Sequence, residues 1–396
     1  MSRLAELIEE LCPDGVEYRA LGDVAELKRG QAVTRKEIME GQIPVIAGGR
    51  EPAYYIDRPN RQGETIVIAG SGAYAGFVSF WNEPIFVSDA FSIVVDRGTL
   101  QPRFVYHWLN GRQEAIHALK SGGGVPHVYP KDVAKLRCPI PPLEVQREIV
   151  RILDQFTTLE AELEAELEAR RAQYEHYRNH LLSYESLATR SPVKVVKLGD
   201  VIAISRGASP RPISKYVTQG EGIPWIKIGD VDPRGKFVTS AAECITSAGA
   251  EKSRKVLPGD FILSNSMSFG RPYILQIEGC VHDGWLILSN VADHWIPDFL
   301  YHSLRTDNVQ RQFAQLASGG TVRNLNSRVI ESVELPLPPK VVQEEIVSML
   351  DRFDALVNDI SSGLPAEIAA RRAQYEHYRD RLLSFPEKCV SDRGAS

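Results

Sequence analysis

Nine consecutive residues, Arg170-Arg171-Ala172-Gln173-Tyr174-Glu175-His176-Tyr177-Arg178, recur unchanged at 371–379. No other feature constrains the fold as strongly, because a chain written twice must build two related structures. The copies extend well beyond this block. Both continue into Leu-Leu-Ser-aromatic, at 181–184 and 382–385. Upstream, Pro141-Pro142-x-x-Val145-Gln146-x-Glu148-Ile149-Val150-x-x-Leu153-Asp154-x-Phe156 matches the series from Pro338 to Phe353. Ser121-Gly122-Gly123 pairs with Ser318-Gly319-Gly320, and Phe104-x-Tyr106-His107-x-Leu109 with Phe299-x-Tyr301-His302-x-Leu304. Near the starts, Leu21-Gly22-Asp23-Val24 and Arg29-Gly30 match Leu198-Gly199-Asp200-Val201 and Arg206-Gly207. An ordered series of that extent identifies a tandem duplication of a unit of about 200 residues.

Each unit changes texture once. Its first part, about 17–140 and 192–336, mixes short β-like runs with turn punctuation. Thr65-Ile66-Val67-Ile68, Phe91-Ser92-Ile93-Val94-Val95, Phe261-Ile262-Leu263 and Trp285-Leu286-Ile287-Leu288 read as strands between Gly and Pro breaks. A short amphipathic helix follows in each, about 103–119 and 298–316. After Pro-rich stops at 139–142 and 336–339, the chain runs from 143 to 184 with no Gly and no Pro. Its apolar positions Ile149, Leu153, Phe156, Leu159, Leu163, Leu167, Tyr174, Tyr177 and Leu181 step as a coiled-coil seam does. A helix of that length rises ~63 Å. In the second copy Gly363-Leu364-Pro365 breaks or restarts the helix. A seam with no partner is unstable in water, and the duplication supplies the partner in the same chain. The expected fold is α+β and internally duplicated: two globular α/β heads joined by two long helices, which form an antiparallel coiled coil with pseudo-twofold symmetry. The segments are 1–140 (first head), 141–185 (first helical region), 186–335 (second head) and 336–396 (second helical region and tail).

Leu159-Glu160-Ala161-Glu162, Leu163-Glu164-Ala165-Glu166 and Leu167-Glu168-Ala169-Arg170 are tandem four-residue blocks. One block more would lengthen a helix by ~6 Å, close to two base-pair rises of ~3.4 Å. The blocks therefore suit a ruler between two reading heads, and equally an acidic, solvated helix face. Net charge is −5 overall, but it is unevenly spread. Segments 143–185 and 336–396 hold 20 of the 51 acidic and 13 of the 46 basic residues, leaving 31 and 33, net +2. That permits phosphate contact without forming a basic footprint.

Several chemistries are excluded. The five cysteines (Cys12, Cys138, Cys244, Cys280 and Cys389) are odd in number and far apart, which fits reduced thiols rather than a disulfide framework or a zinc site. No apolar run approaches the ~20 residues of a membrane span. Glu6, Glu9 and Glu10 stand where a signal peptide would need an apolar core, so the expected location is the cytoplasm. Phosphate-loop, nucleophile-elbow, H-E-x-x-H and EF-hand patterns are lacking. Gly70-Ser71-Gly72-Ala73-Tyr74-Ala75-Gly76 has no acidic partner in a βαβ setting and is no dinucleotide fingerprint. His176 and His377 suggest packing or subunit contact rather than metal ligation.

The strand-flanking loops read better as DNA-contacting surface. They differ most between the copies, whereas the helices agree, as two heads reading different sequences would. In the first head the candidates are Arg35, Arg50, Tyr54, Ser71, Tyr74, His127 and Tyr129. In the second they are Arg211, Lys227, Asn265, Ser266, Arg271, Arg323 and Asn324. Arg and Asn can bond guanine and adenine edges in pairs, and each residue can instead contact phosphate or bond its own loop.

This order of features resembles the specificity subunit of type I restriction–modification systems, over about 4–385. The carriers are Leu-Gly-Asp-Val near each head's start, Ser-Gly-Gly before its end, and P-x-P-P…Q-x-E-I-V…L-D-x-F…R-R-A-Q-Y-x-x-Y-R. The four-residue blocks are similar to spacer repeats in one branch of that family. The resemblance implies two target-recognition domains reading a bipartite double-stranded DNA target, with 143–184 and 341–385 as the antiparallel spacer. It implies no catalysis and no cofactor in this chain. Two methyltransferase subunits with S-adenosylmethionine would pack on the helices, and two ATP- and Mg2+-dependent translocating nuclease subunits would join for restriction. The spacer and subunit-contact candidates are Arg171, Gln173, Tyr174, Tyr177, Arg178, Arg372, Gln374, Tyr375, Tyr378 and Arg379. Two rival readings are an enzyme in its own right, a nuclease or an adenine methyltransferase, whose Asn/Asp-Pro-Pro-Tyr/Phe motif is lacking, and a non-DNA adaptor whose helices dock partners.

Overall fold

The computed structural model describes residues 3–33, 41–122, 124–218, 220–233, 235–265, 270–316, 325–359 and 362–388. Met1–Leu163 with Ile368–Ser396 forms one compact unit, and Glu164–Glu367 forms the other. The division therefore falls inside the helical regions, and each unit is a head together with helical segments from both repeats.

In the first unit an antiparallel sheet runs in the order Ala25–Arg29, Ala90–Val95, Thr65–Ala69, Val78–Trp81. Thr65–Ala69 is buried at every position, which explains its unbroken apolar run. A smaller sheet places Ile43–Ile46 between Tyr54–Ile56 and Phe86–Val87, the latter parallel to it. The core joins Ile66, Phe91 and Ile93 of the larger sheet to Phe104 and Trp108 of the helix Pro102–Asn110. Ile149 and Leu153 of the helix Leu143–Leu181 enter the same core, as do Leu383 and Phe385 from the end of the chain. Fully burying such a side chain contributes roughly 1.5–3 kcal/mol, so these four contribute as much as a domain's whole net stability of ~5–15 kcal/mol. The first head and its helices are one folding unit. Inside it the helical segments run antiparallel, because Phe156 stacks on Tyr378 while Glu160, one turn later, pairs with Arg372, almost two turns earlier. The tail then returns to the N-terminal segment: Val16 N–H donates to Pro386 O (2.9 Å) and Lys388 N–H to Val16 O (2.9 Å).

The second unit repeats the plan with longer sheets. One runs Ala203–Arg206, Trp285–Ser289, Phe261–Ser264, Pro272–Leu275, Phe237–Val238. The other runs Val217–Thr218, Glu243–Ile245, Ile223–Ile226, Gly279–Val281, Arg254–Val256. Again the smaller-sheet junction is parallel, Trp225 opposite Cys280. Among the described residues, Cys12, Cys138, Cys244 and Cys280 are free thiols, and no helix is long and apolar enough to cross a membrane.

One repeated motif has a plain mechanical role. Gln146 is fully buried at the start of the long helix, where its Oε1 accepts from Gln101 N–H (2.8 Å). Its Nε2 donates to Thr99 O (2.9 Å) and Pro141 O (2.8 Å). Gln343 repeats this with Ile296 N–H (2.7 Å), His294 O (3.2 Å) and Pro338 O (2.9 Å). The Pro-Pro-x-x-Val-Gln series is thus a latch between head and helix.

The amphipathic helices expected over 103–119 and 298–316 are each split. Pro102–Asn110 is followed by Gln113–Ala118, because Gly111 closes the first helix. A Cβ at Gly111 would stand 2.9 Å from the Arg379 side chain, so a larger residue there would push that side chain aside. Pro297–Leu304 and Asp307–Leu316 are separated by Thr306, whose hydroxyl accepts from Val309 N–H and starts the next helix. Leu143–Leu181 is unbroken over 39 residues, whereas its counterpart is two helices, Lys340–Asn358 and Leu364–Leu382. Pro365 sits in the first turn of the latter, where its missing N–H costs nothing. Along the seam Leu167 and Tyr174 are buried, Leu159 and Leu163 half-buried, and Tyr177 is 38% exposed.

Replacing Gln146 or Gln343 by Ala leaves one buried and two part-buried backbone groups without their partner, at ~1–3 kcal/mol for each group not rescued by water. We expect each variant to unfold at clearly lower urea concentration than the parent, whereas Q173A, half-exposed on the helix surface, should not.

Candidate nucleic-acid interface

In the first head three loops meet. Arg50 lies in the turn between Ile43–Ile46 and Tyr54–Ile56, and Ser71 and Tyr74 connect Thr65–Ala69 to Val78–Trp81. His127 and Tyr129 precede the short helix Pro130–Val133. Ser71 and His127 form a β-bridge, and Val128 N–H donates to Gly70 O (3.0 Å). The His127 and Tyr129 rings stack with centroids 6.0 Å apart. Arg50 holds its guanidinium 5.0 Å from the centroid of the exposed Tyr74 ring, which restrains both side chains at the surface. Tyr54 is half-buried on the three-stranded sheet, opposite Val45. Arg35 lies outside the described residues.

In the second head Arg211 and Lys227 line a cavity of about 840 Å³ with Pro210, Ile213, Trp225 and Asp283. Both cations are already paired, Arg211 with Asp283 (3.3 Å) and Lys227 with Glu243 (2.7 Å). Asn265 is buried, and its Nδ2 reaches Asp283 O at a long 3.4 Å. Arg271 is half-buried, its guanidinium 5.6 Å from the Tyr273 ring. Ser266, Arg323 and Asn324 lie outside the described residues.

Sequence reasoning missed two aspartates. Gly30 packs so closely that a Cβ there would stand 1.9 Å from Ser88 O, and at Gly207 it would stand 2.1 Å from His282 O. The repeated Arg-Gly pair is therefore a seat that fixes the next residue, Asp89 in one head and Asp283 in the other. Each carries a serine hydroxyl: Ser71 donates to Asp89, and Ser209 to Asp283 (2.8 Å). Partial burial pushes the Asp283 carboxyl up, but Ser209, His282 and Arg211 outweigh it and hold the group below the usual carboxylate range. The signal was present, because Val87-Ser88-Asp89 and Val281-His282-Asp283 are a further matched pair. The first seat opens on a cavity of about 230 Å³ that Arg29, His127 and Tyr129 also line.

The helical candidates divide by exposure. Tyr174, Arg178 and Tyr375 are buried, Tyr177 and Tyr378 are exposed, and Arg171, Gln173, Gln374 and Arg379 are intermediate. Arg372 is exposed and pairs with Glu160. His176 and His377 are exposed, each beside the following tyrosine ring. The two buried tyrosines complete a network in each unit. In the first, Asp154 accepts from His107 Nε2 (2.8 Å) and Arg103 Nε (2.7 Å), and His107 Nδ1 meets Tyr375 OH at 2.9 Å. In the second, Asp351 takes His302 Nε2 (3.1 Å) and Lys236 Nζ (3.4 Å), and His302 Nδ1 meets Tyr174 OH (3.1 Å). Each carboxylate can only accept, so Nε2 carries the hydrogen, and the neutral ring accepts from the tyrosine at Nδ1. Burial lowers the pKa of both imidazoles more than their aspartates raise it, and burial pushes the Tyr375 phenol up to about 12. Among the described residues no group of His, Cys, Asp and Glu could hold a metal ion.

The sequence model of the family described as Type I restriction modification DNA specificity domain matches residues 13–169 and 190–370. An Escherichia coli relative, the EcoR124I/EcoR124II specificity subunit of a type I restriction enzyme, is 31% identical over 72% of this chain and 71% of its own length. A Haemophilus influenzae protein described as a type I restriction enzyme specificity subunit is 29% identical over 93% of this chain and 96% of its own. Two solved structures share the fold. A chain from a type I restriction–modification system matches at TM-score 0.60 and 20% identity, covering 94% of this chain and 98% of that one. The S subunit from M. genitalium matches at TM-score 0.55 and 17% identity, covering 93% and 96%. The chain belongs to the specificity-subunit family of type I restriction–modification systems.

The buried imidazoles set a pH dependence. Their folded pKa lies below the unfolded value of about 6.5, so the unfolded chain binds the proton first as pH falls. The stabilisation is complete above about pH 6.5 and is lost below it, toward the folded values. The thermal midpoint should drop between pH 7.5 and 5.5, and by less in H107Q/H302Q; equal drops in both proteins would refute this origin.

Proposed function

We propose that the chain reads a bipartite double-stranded DNA target, one half-site per head, with an unread spacer between, and catalyses nothing itself. The observation that carries the reading is the pair of aspartate seats. One scaffold contact is repeated in both heads, while the groups around it differ in size, polarity and charge. A fixed seat with a variable rim is what two readers of different base sequences require. In this reading 1–140 and 186–335 are the target-recognition domains, and 141–185 with 336–396 carry the spacer helices. Two methyltransferase subunits dock on the helices, a reading supported by the exposed apolar side chains Tyr177, Val341, Met349, Leu356 and Tyr378. Two restriction subunits complete the assembly. S-adenosylmethionine, ATP and Mg2+ reside on those partners, and the complex works in the cytoplasm. The heads' net charge of +2 gives the lone chain little counterion-release affinity, so partners must add phosphate contacts.

The test is methylome sequencing after co-expression with the cognate methyltransferase subunit in a methylation-free host. The expected result is one split motif with a fixed spacer. R50A should relax only the first half and R211A only the second, by about 10- to 100-fold at the affected base, if each makes a base contact of ~1–3 kcal/mol. Absence of any new motif from an assembled complex would leave a non-DNA adaptor as the reading.

A further inference from the structure

We infer that His107 and His302 are positioning residues for recognition: each seats its head on two helical segments at once and so sets the half-site spacing the chain accepts. The inference rests on the bipartite reading above. His107 lies on Pro102–Asn110 in the head, Asp154 on Leu143–Leu181 and Tyr375 on Leu364–Leu382. His302 lies on Pro297–Leu304, Asp351 on Lys340–Asn358 and Tyr174 on Leu143–Leu181. Both rings are wholly buried and bonded at both nitrogens, each nitrogen to a different helix.

Two features separate this from ordinary packing. Apolar contacts hold a head against helices but are non-directional, whereas a ring bonded at two opposed nitrogens fixes rotation as well as distance. Moreover, the cation beside the aspartate comes from unrelated places. Arg103 stands one turn before His107 on the same helix, whereas Lys236 arrives from the segment preceding Phe237–Val238 and also binds Asp298 (2.5 Å). The heads diverged around the junction, and the His–Asp–Tyr geometry did not. Precision matters because one base pair of spacer is ~3.4 Å along the duplex, while hydrogen bonds to base edges work only over a few tenths of an ångström, about 2.7–3.2 Å.

The experiment uses the assembled methyltransferase complex and duplexes carrying both half-sites at the native spacing, one base pair shorter and one longer. Rates of adenine N6 methylation are compared for the parent, Y375F and Y174F, which keep the buried ring and lose only the hydroxyl, and for D154N, which keeps shape and loses charge. We expect discrimination between native and shifted spacers to narrow several-fold in each variant, with base preference within each half unchanged. A role confined to stability would lower all three rates together and leave their ratio as in the parent. Folded variants with parental spacer ratios overturn the inference while the bipartite reading stands. A parent complex that methylates no split target overturns both.

Discussion

In each unit one buried imidazole is bonded at both nitrogens, to an aspartate on one helix and a tyrosine on another, and with the buried glutamine latch it seats the head. A hydrogen bond to a charged group contributes roughly 1.5–3 kcal/mol net, and removing the aspartate or the tyrosine leaves a wholly buried ring with an unpaired nitrogen. The partners come from opposite repeats: His107 of the first copy takes Tyr375 of the second, and His302 of the second takes Tyr174 of the first. The structural unit is therefore not the sequence repeat. Each nine-residue block serves the other copy's head, which gives a physical reason for both blocks to stay alike while the loops diverge.

Much of the fold is legible in the chain because its signals are local. The strands around Thr65–Ala69 and Trp285–Ser289 follow from apolar runs bounded by turn residues, and the helix Leu143–Leu181 from an uninterrupted period. Its partner's restart at Leu364 follows from Gly363 and Pro365. Illegible were the features set by distant contacts. Gly111 lies against the Arg379 side chain, and nothing near residue 111 announces residue 379. Periodicity likewise told which face of the helix carries Tyr174 but not which histidine it meets. Half-buried Tyr54 and buried Asn265 show the same limit at the candidate interface, where residue type suggests base contact and burial is decided elsewhere. Asp89 and Asp283 were hidden differently: their motif repeats, but it is three residues long, and only the Gly30 and Gly207 contacts reveal it as a fixed point.

The two seats illustrate how a duplicated scaffold acquires two tasks. The close approach at Gly30 and Gly207 admits no side chain in either head, although the second carries one residue more between aspartate and strand: Arg29 lies opposite Phe91, two after Asp89, and Arg206 opposite Leu286, three after Asp283. The rim is free to change. In the first head it is small and polar, with stacked His127 and Tyr129; in the second it is larger, with Pro210, Ile213 and Trp225 beside two paired cations. In the proposed reading, variation confined to the rim would alter what is recognised while the seat stays in place.

The electrostatics of the second rim carry the argument one step further. Arg211 and Lys227 each hold a carboxylate before any ligand arrives, so phosphate or base contact would exchange an ion pair rather than create one. Exchange yields little net affinity, which agrees with heads that are nearly neutral overall. In the proposed reading, such a surface must draw its binding strength from the proteins assembled around it.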